Sequence, residues 1–279
     1  MIEEFAPAKI NLGLAVTGIL ETGYHSLDTL FTTLSVGDTL TLEASDHGID
    51  LEVIGVDLGD PRDNLVYKAA LAYLEFFGQP GGVRIVLEKR LPIAAGLGGG
   101  SSDAAACLRG MARLYPMERT HGSPLHDIAA RLGADVAFLV NGGAARGGGM
   151  GDKLETVRLP ETHVVLANPC VGITAREAYA GLNGRLGVPL DLEGIIAALQ
   201  NHVAPPYRND LEAPVLEAYP VVQRVKDALS AAGLYGVLMS GSGSTCFGIA
   251  QDAAGAKVAA ERIRLEHPMW WVAPTVTRP

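Results

Sequence analysis

Residues 91–105, Leu-Pro-Ile-Ala-Ala-Gly-Leu-Gly-Gly-Gly-Ser-Ser-Asp-Ala-Ala, hold the residue types that most plainly imply chemistry. Gly96, Gly98, Gly99 and Gly100 let the backbone bend sharply and come close to a ligand. Ser101-Ser102-Asp103 is a helix-start signal, so a helix is expected from Ser102, with Ala104, Leu108 and Met111 on one face. A glycine loop feeding a helix N-terminus is an anion site, because its N–H groups and the helix dipole both favour phosphate. Two familiar templates fail. A P-loop needs lysine after its second motif glycine, and Ser101 follows Gly100. A dinucleotide fingerprint counted from Gly96 needs glycine where Ser101 stands, which disfavours a nicotinamide oxidoreductase. The spacing is its own, and a nucleotide phosphate is the ligand implied.

Three further segments carry reactive or polar residues, each with an ordinary explanation when taken alone. Lys9 lies among small and apolar residues in Ala6-Pro-Ala-Lys-Ile-Asn11, where a surface lysine with its stem on the protein is the plain reading. Ser240-Gly-Ser-Gly-Ser-Thr245 reads as a turn between two short strands, although its glycines and hydroxyls also suit phosphate. Asp135, in Gly133-Ala-Asp-Val, reads as a cap or turn aspartate at the mouth of an apolar strand. Cys107, Cys170 and Cys246 are far apart and read as small buried residues. The histidines show no H-E-x-x-H, and His121 and His126 bracket an expected loop, so no protein-ligated metal site is expected.

The elements that must position these residues follow from composition and pattern. The chain has 279 residues, 48% of them hydrophobic, enough for one large or two ordinary domains. The net charge is −9 with no dense Lys/Arg run, which argues against nucleic acid and requires positive potential to be concentrated locally. The acidic start and the lack of a long apolar run point to a cytoplasmic protein without a membrane partner. Strands are expected at 5–16, 29–35, 39–44, 51–54 and 83–88, with Val36-Gly37-Asp38 as a turn. Helical spacing marks a helix opened by Asp63-Asn64 and another near 124–132. Gly142–Gly151 reads as a hairpin, and strands and helices alternate to the C-terminus. The class implied is α+β in two domains, with a boundary near Leu159-Pro160.

Together the segments are more specific than any one. Ala6-Pro-Ala-Lys-Ile-Asn-Leu, Gly23-Tyr-His25 with Thr29-Leu-Phe31, Pro92–Ser102 with Asp103-Ala-Ala, Leu132-Gly-Ala-Asp-Val136 and Ser240–Thr245 resemble the GHMP kinase superfamily. The resemblance implies a two-domain fold. Residues 1–160 would be ribosomal-protein-S5-domain-2-like and carry the ATP loop and catalytic residues, and residues 161–279 would be ferredoxin-like. It implies ATP-dependent phosphorylation, with the Gly23-Tyr-His25 segment similar to the branch whose acceptor is the 2-hydroxyl of 4-CDP-2-C-methyl-D-erythritol, in non-mevalonate isoprenoid synthesis. That segment argues against a mevalonate- or homoserine-type acceptor, and the presence of Lys9 and Asp135 against a nucleotide-binding sensor without catalysis. By the same resemblance Asp135 is the base and Lys9 orients the hydroxyl. Pro92, Ile93, Ala94, Ala95, Gly96, Leu97, Gly98, Gly99, Gly100, Ser101 and Ser102 wrap the phosphates of ATP. Asn11, Tyr24, His25 and Phe31 line the acceptor side. Mg²⁺ is the expected cofactor beside ATP, and the implied assembly is a monomer or weak homodimer.

Overall fold

The computed structural model describes residues 1–116 and 124–279; His121 lies outside them. The strands are β1 (Ile2–Ile19), β2 (His25–Ser45), β3 (Ile49–Ile54), β4 (Gly82–Glu88), β5 (Ala144–Gly148), β6 (Lys153–Thr156), β7 (His163–Asn168), β8 (Tyr235–Met239), β9 (Cys246–Ile249) and β10 (Trp271–Arg278). The helices are α1 (Leu65–Phe77), α2 (Gly99–Leu114), α3 (Pro124–Leu132), α4 (Ala134–Asn141), α5 (Ala175–Ala180), α6 (Leu192–Gln200), α7 (Glu212–Ala218), α8 (Pro220–Ala231) and α9 (Ala253–Glu266). The class is α+β.

The chain forms two compact units, each assembled from three separated stretches. Unit 1 takes Met1–Ala8, Gly37–Leu91 and Gly98–Gly142, and unit 2 takes Lys9–Val36, Pro92–Leu97 and Gly143–Pro279. The last change of unit falls between Gly142 and Gly143, and the units are interleaved in sequence. The length of β1 and β2 accounts for this, since each contributes to both units.

In unit 1 the second half of β2 pairs antiparallel with β4, and β3 pairs parallel with β4. Leu40, Leu42, Ile85 and Leu87 are fully buried, as are Val66, Ala69 and Ala70 of α1. Small residues let α2 lie deep: Ala104, Ala105, Ala106 and Cys107 are inaccessible, and a β-carbon on Gly110 would come within 2.6 Å of the Leu42 side chain. Burial pushes the Cys107 thiol up, away from thiolate chemistry. In unit 2 an antiparallel sheet runs β10-β7-β9-β8, and β10 also meets β2 at Thr277 opposite Leu34. Its core joins Val165, Val222, Leu229, Cys246 and Ile263 from the sheet and from α8 and α9. The expected hairpin is present as β5 and β6, with β5 paired to β2.

Three local expectations are corrected. Val36-Gly37-Asp38 is not a turn; β2 runs through it unbroken. Glycine is needed at position 37 for space, because a β-carbon there would lie 2.1 Å from the Ala6 carbonyl oxygen. Asp38 is wholly buried as an acceptor for backbone N–H groups of Arg90 and Leu91. Helix α2 begins at Gly99, one turn before Ser102, with Gly98 at its N-cap (φ 66°). Asp135 opens a helix, not a strand. Gly37→Ala should therefore cost about 1–3 kcal/mol of stability through overpacking, read as a melting temperature several degrees lower by calorimetry.

Candidate functional site

Lys9 is buried in β1 between Ala8 and Ile10, both with no exposed surface, so its ammonium needs partners built into the fold. Its Nζ donates to Asn11 Oδ1 at 2.8 Å and lies 5.5 Å from the centre of the Phe31 ring. Asn11 Nδ2 donates to Thr29 Oγ1 at 2.8 Å, and Thr29 Oγ1 donates to the Gly13 carbonyl at 2.8 Å. Both polar ends of the Asn11 amide are thus engaged, which gives it a role in holding Lys9 beside the acceptor-side role expected from sequence. Phe31 is a buried shelf under Lys9, and its ring leaves no room for a side chain on Gly147, whose β-carbon would be 2.6 Å away.

The Ser240–Thr245 turn seats the first part of the glycine loop within unit 2. Ser240 Oγ accepts from the Asn11 N–H at 3.3 Å and donates to the Gly96 carbonyl at 2.9 Å. The Thr245 N–H donates to the Ala95 carbonyl at 3.2 Å, and the Lys9 N–H to the Leu97 carbonyl at 2.9 Å. Asn168 of β7 braces the turn through Ser244 and Thr245. Gly96 adopts φ 75°, and a β-carbon on it would meet the Ser240 carbonyl oxygen at 2.1 Å. Ser240 was read from sequence as part of a turn whose hydroxyls also suit phosphate; in the structure its hydroxyl joins β1 to the loop.

In unit 1, residues Gly98–Ser102 continue the loop into α2. The first N–H groups of a helix have no intrahelical acceptor and face outward. Gly100 is exposed, and a β-carbon on it would meet nothing within 4 Å, so the protein's own packing does not require glycine there. Ser102 has no exposed surface, and its Oγ has no hydrogen-bond partner among the described residues. An open glycine cradle beside a buried, unpartnered hydroxyl fits a phosphate chain and the Mg²⁺ that accompanies it. A cavity of about 450 Å³ lies nearby in sequence and in the same unit, lined by residues including Leu51, Val53, Leu58, Pro61 and Asn64. Asn64 caps α1, its Oδ1 accepting from the Val66 N–H at 2.9 Å. Asp135 occupies the first turn of α4, where the helix N-terminus favours negative charge.

Sequence reasoning missed a buried cluster in unit 1. Lys89 Nζ lies 2.5 Å from Asp38 Oδ2 and 2.8 Å from Asp103 Oδ2. Burial, with Asp38 adding to it, pushes the Asp103 carboxyl up to about 7 against the pull of Lys89. Asp103 was read as a helix-start residue and instead points into the core. On the acceptor side, Gly23 (φ 81°) turns the chain between β1 and β2 and leaves Tyr24 exposed. His25 stacks on Tyr179 of α5, centroids 4.9 Å apart and planes at 23°. Tyr179 was also missed. Three residues on, Asp28 takes two hydrogen bonds from Arg146 and one from the Leu190 N–H. Burial raises the Asp28 carboxyl, but these bonds outweigh it and hold the group below its ordinary range. Among the described residues no cluster of three or more His, Cys, Asp and Glu is arranged to hold a metal, and no helix is long and apolar enough to cross a membrane.

Comparison with known proteins bears on both units. Residues 64–143 match the family model described as GHMP kinases N terminal domain, and residues 191–267 match GHMP kinases C terminal. A Deinococcus radiodurans protein named 4-diphosphocytidyl-2-C-methyl-D-erythritol kinase is 48% identical over 277 residues, covering 98% of this chain and 92% of its own. A Thermus thermophilus protein of the same name is 43% identical over 96% of this chain and 95% of its own. A crystal structure of 4-(cytidine 5'-diphospho)-2C-methyl-D-erythritol kinase matches with a TM-score of 0.89 at 42% identity, covering 99% of both chains. Homoserine kinase from Cytophaga hutchinsonii matches at TM-score 0.76 and 22% identity, over 99% of this chain and 95% of its own, and shares the fold.

Gly96 and Gly100 should separate packing from ligand binding. Gly96→Ala lowers the melting temperature through its clash with Ser240. Gly100→Ala leaves the melting temperature equal or higher, since alanine is favoured over glycine in a helix by about 1 kcal/mol, yet weakens ATP binding at least tenfold by calorimetry. Unchanged ATP affinity in Gly100→Ala would take the phosphates off this loop.

Proposed function

The chain belongs to the GHMP kinase family, and we propose that it transfers the γ-phosphoryl group of ATP to the 2-hydroxyl of 4-diphosphocytidyl-2-C-methyl-D-erythritol, a step of non-mevalonate isoprenoid precursor synthesis. The full-length likeness to relatives of that name carries the reading. The acceptor oxygen attacks the γ-phosphorus, the bond from that phosphorus to the β,γ-bridging oxygen breaks, and ADP leaves. Asp135 takes the proton that the hydroxyl gives up. Lys9, held by Asn11 and Thr29, orients the hydroxyl and offsets its developing charge. The transition state of phosphoryl transfer is loose, so positioning and charge neutralisation matter more than base strength.

The loop from Pro92 to Ser102 is assigned to the ATP phosphates, supported by the open cradle at Gly100. The cavity walled by Leu51, Leu58 and Asn64 is assigned to the purine, supported by its size and its mixed lining. When bound, Mg²⁺ supplies positive charge against the phosphates, and Ser102 is the residue assigned to hold it. Tyr24, His25 and Tyr179 are assigned to the cytosine, which aromatic faces stack and a histidine edge reads by hydrogen bonding. Residues 1–160 carry the nucleotide and catalytic residues and 161–279 the second domain, a division supported by family-model matches on either side of residue 160. The reading includes a cytoplasmic monomer or weak homodimer without a nucleic-acid partner.

Steady-state kinetics test this directly. Turnover with Mg·ATP should require the cytidyl acceptor, with mevalonate and homoserine inert. Asp135→Asn and Lys9→Ala should each lower kcat by at least a hundredfold with little change in melting temperature; near-normal turnover in either removes that residue from catalysis. His25→Ala should raise KM for the cytidyl acceptor tenfold or more and leave KM for ATP within twofold, whereas equal changes in both would contradict a cytosine role.

A further inference from the structure

Lys89 is a deeply buried lysine that the proposed chemistry leaves without a task. The side chains of Lys89, Asp38 and Asp103 are 6%, 0% and 3% exposed. Each partner belongs to a different element of unit 1. Asp38 lies in β2 and also accepts from the N–H groups of Arg90 and Leu91, at 2.5 and 2.9 Å. Asp103 lies in the second turn of α2. Lys89 itself follows β4, and its N–H donates to the Ile54 carbonyl at 2.9 Å. A β-carbon on Gly55 would lie 2.8 Å from the Lys89 carbonyl oxygen, so the chain passes close to Lys89 just before the Val56–Asn64 wall of the cavity. At its other end, the Lys89 ammonium is 3.4 Å from where a β-carbon of Gly99 would stand.

Lys89 therefore holds the segment that leads into the cavity wall through its backbone, and Asp103 of α2 through its side chain. Stability alone is a poor reason for this design. Buried ion clusters repay their desolvation only with complete hydrogen bonding, and apolar replacements often do as well. Here Asp103 Oδ1 and the neighbouring Ser102 Oγ lack partners among the described residues. Those unmet acceptors sit on the turn that feeds the glycine cradle.

We propose that Lys89 is a positioning residue for the nucleotide: clamped by Asp38 and Asp103, it fixes the distance between the base cavity and the phosphate-binding turn of α2. The inference rests on the assignment of purine to the cavity and phosphates to the loop. A fixed distance lets one rigid ligand engage both subsites, and that linkage is worth far more than either subsite alone. Lys89 need touch neither end of the nucleotide.

The test uses the full chain and compares ATP with its two halves. In Lys89→Met, KM for ATP should rise at least tenfold while KM for the cytidyl acceptor stays within twofold. Inhibition by adenosine alone and by inorganic tripolyphosphate alone should stay within twofold of wild type, because each subsite is intact and only their spacing is lost. Asp103→Asn keeps an oxygen for Lys89 and should restore near-normal KM for ATP when compared with Asp103→Ala. Weakened tripolyphosphate would make Lys89 a direct phosphate ligand, weakened adenosine a base ligand, and an unchanged KM for ATP a purely structural residue; each overturns the proposal. If Lys89→Met does not fold, the neutral triple variant Lys89→Met, Asp38→Asn, Asp103→Asn carries the same expectations. A wild-type chain that does not use ATP would overturn the function on which the inference rests, and is distinguishable because it precedes any variant.

Discussion

One serine hydroxyl joins β1 to the glycine loop within unit 2. Ser240 Oγ takes a hydrogen from the backbone of β1 at Asn11 and gives its own to the backbone of the glycine loop at Gly96. The loop comes so close to the Ser240 carbonyl that no residue larger than glycine fits at position 96. With the N–H of Lys9 on Leu97 and that of Thr245 on Ala95, the loop is sewn to two neighbours through its backbone. A loop held that way spends no side chain on its own support. Gly100, farther along the chain, is exposed and open, which is the condition for an N–H group to approach an anion closely.

An acidic chain that handles phosphates must distribute buried positive charge with care. Two ammonium groups illustrate two solutions. Lys9 donates to the amide oxygen of Asn11 and lies against the face of Phe31. Lys89 faces two carboxylates, and burial brings the Asp103 carboxyl up to about 7, near the point where the cluster as a whole approaches neutrality. The second arrangement suits a cation that holds elements together, since a compensated charge in a low-dielectric interior attracts its own acids more than a ligand.

Much of this was legible in the sequence, and the exceptions have a common cause. The glycine loop stands out by residue type, Lys9, Asp135 and the Gly-Tyr-His turn are marked only by the family resemblance, and most helices and strands stand out by period. Local signals misled where burial decided the outcome. Val36-Gly37-Asp38 has turn composition, but Gly37 answers to the close passage of Ala6 and Asp38 to backbone donors some fifty residues away in sequence, at 90 and 91. Ser101-Ser102-Asp103 has cap composition, but the helix already starts at Gly99, and Asp103 shares a buried face with Cys107 and Gly110. A charged residue on such a face demands a partner. The partner was written too: the two-residue alternation of Val83, Ile85 and Leu87, all buried, continues to Lys89. Tyr179 is different, because nothing local connects it to His25; only the tertiary fold brings those rings together.

A P-loop concentrates phosphate cradle and lysine in one short motif. This chain separates them. On the proposed reading the cradle comes from 92–102, the cation for the acceptor from β1, the base from the start of α4, and the spacing of the nucleotide subsites from Lys89. Because phosphoryl transfer asks mainly for alignment and charge compensation, nothing requires those tasks to share a motif. What the separation does require is stiffness in each support. The fold meets that with backbone-to-backbone contacts at Gly37 and Gly96, where any side chain is excluded, and with buried polar chains at Asn11 and Lys89, where most donors and acceptors are paired. Among the described residues, two buried side-chain oxygens are left without partners, on Ser102 and Asp103 in the first two turns of α2, the end of the helix that the proposed reading sets at the phosphates.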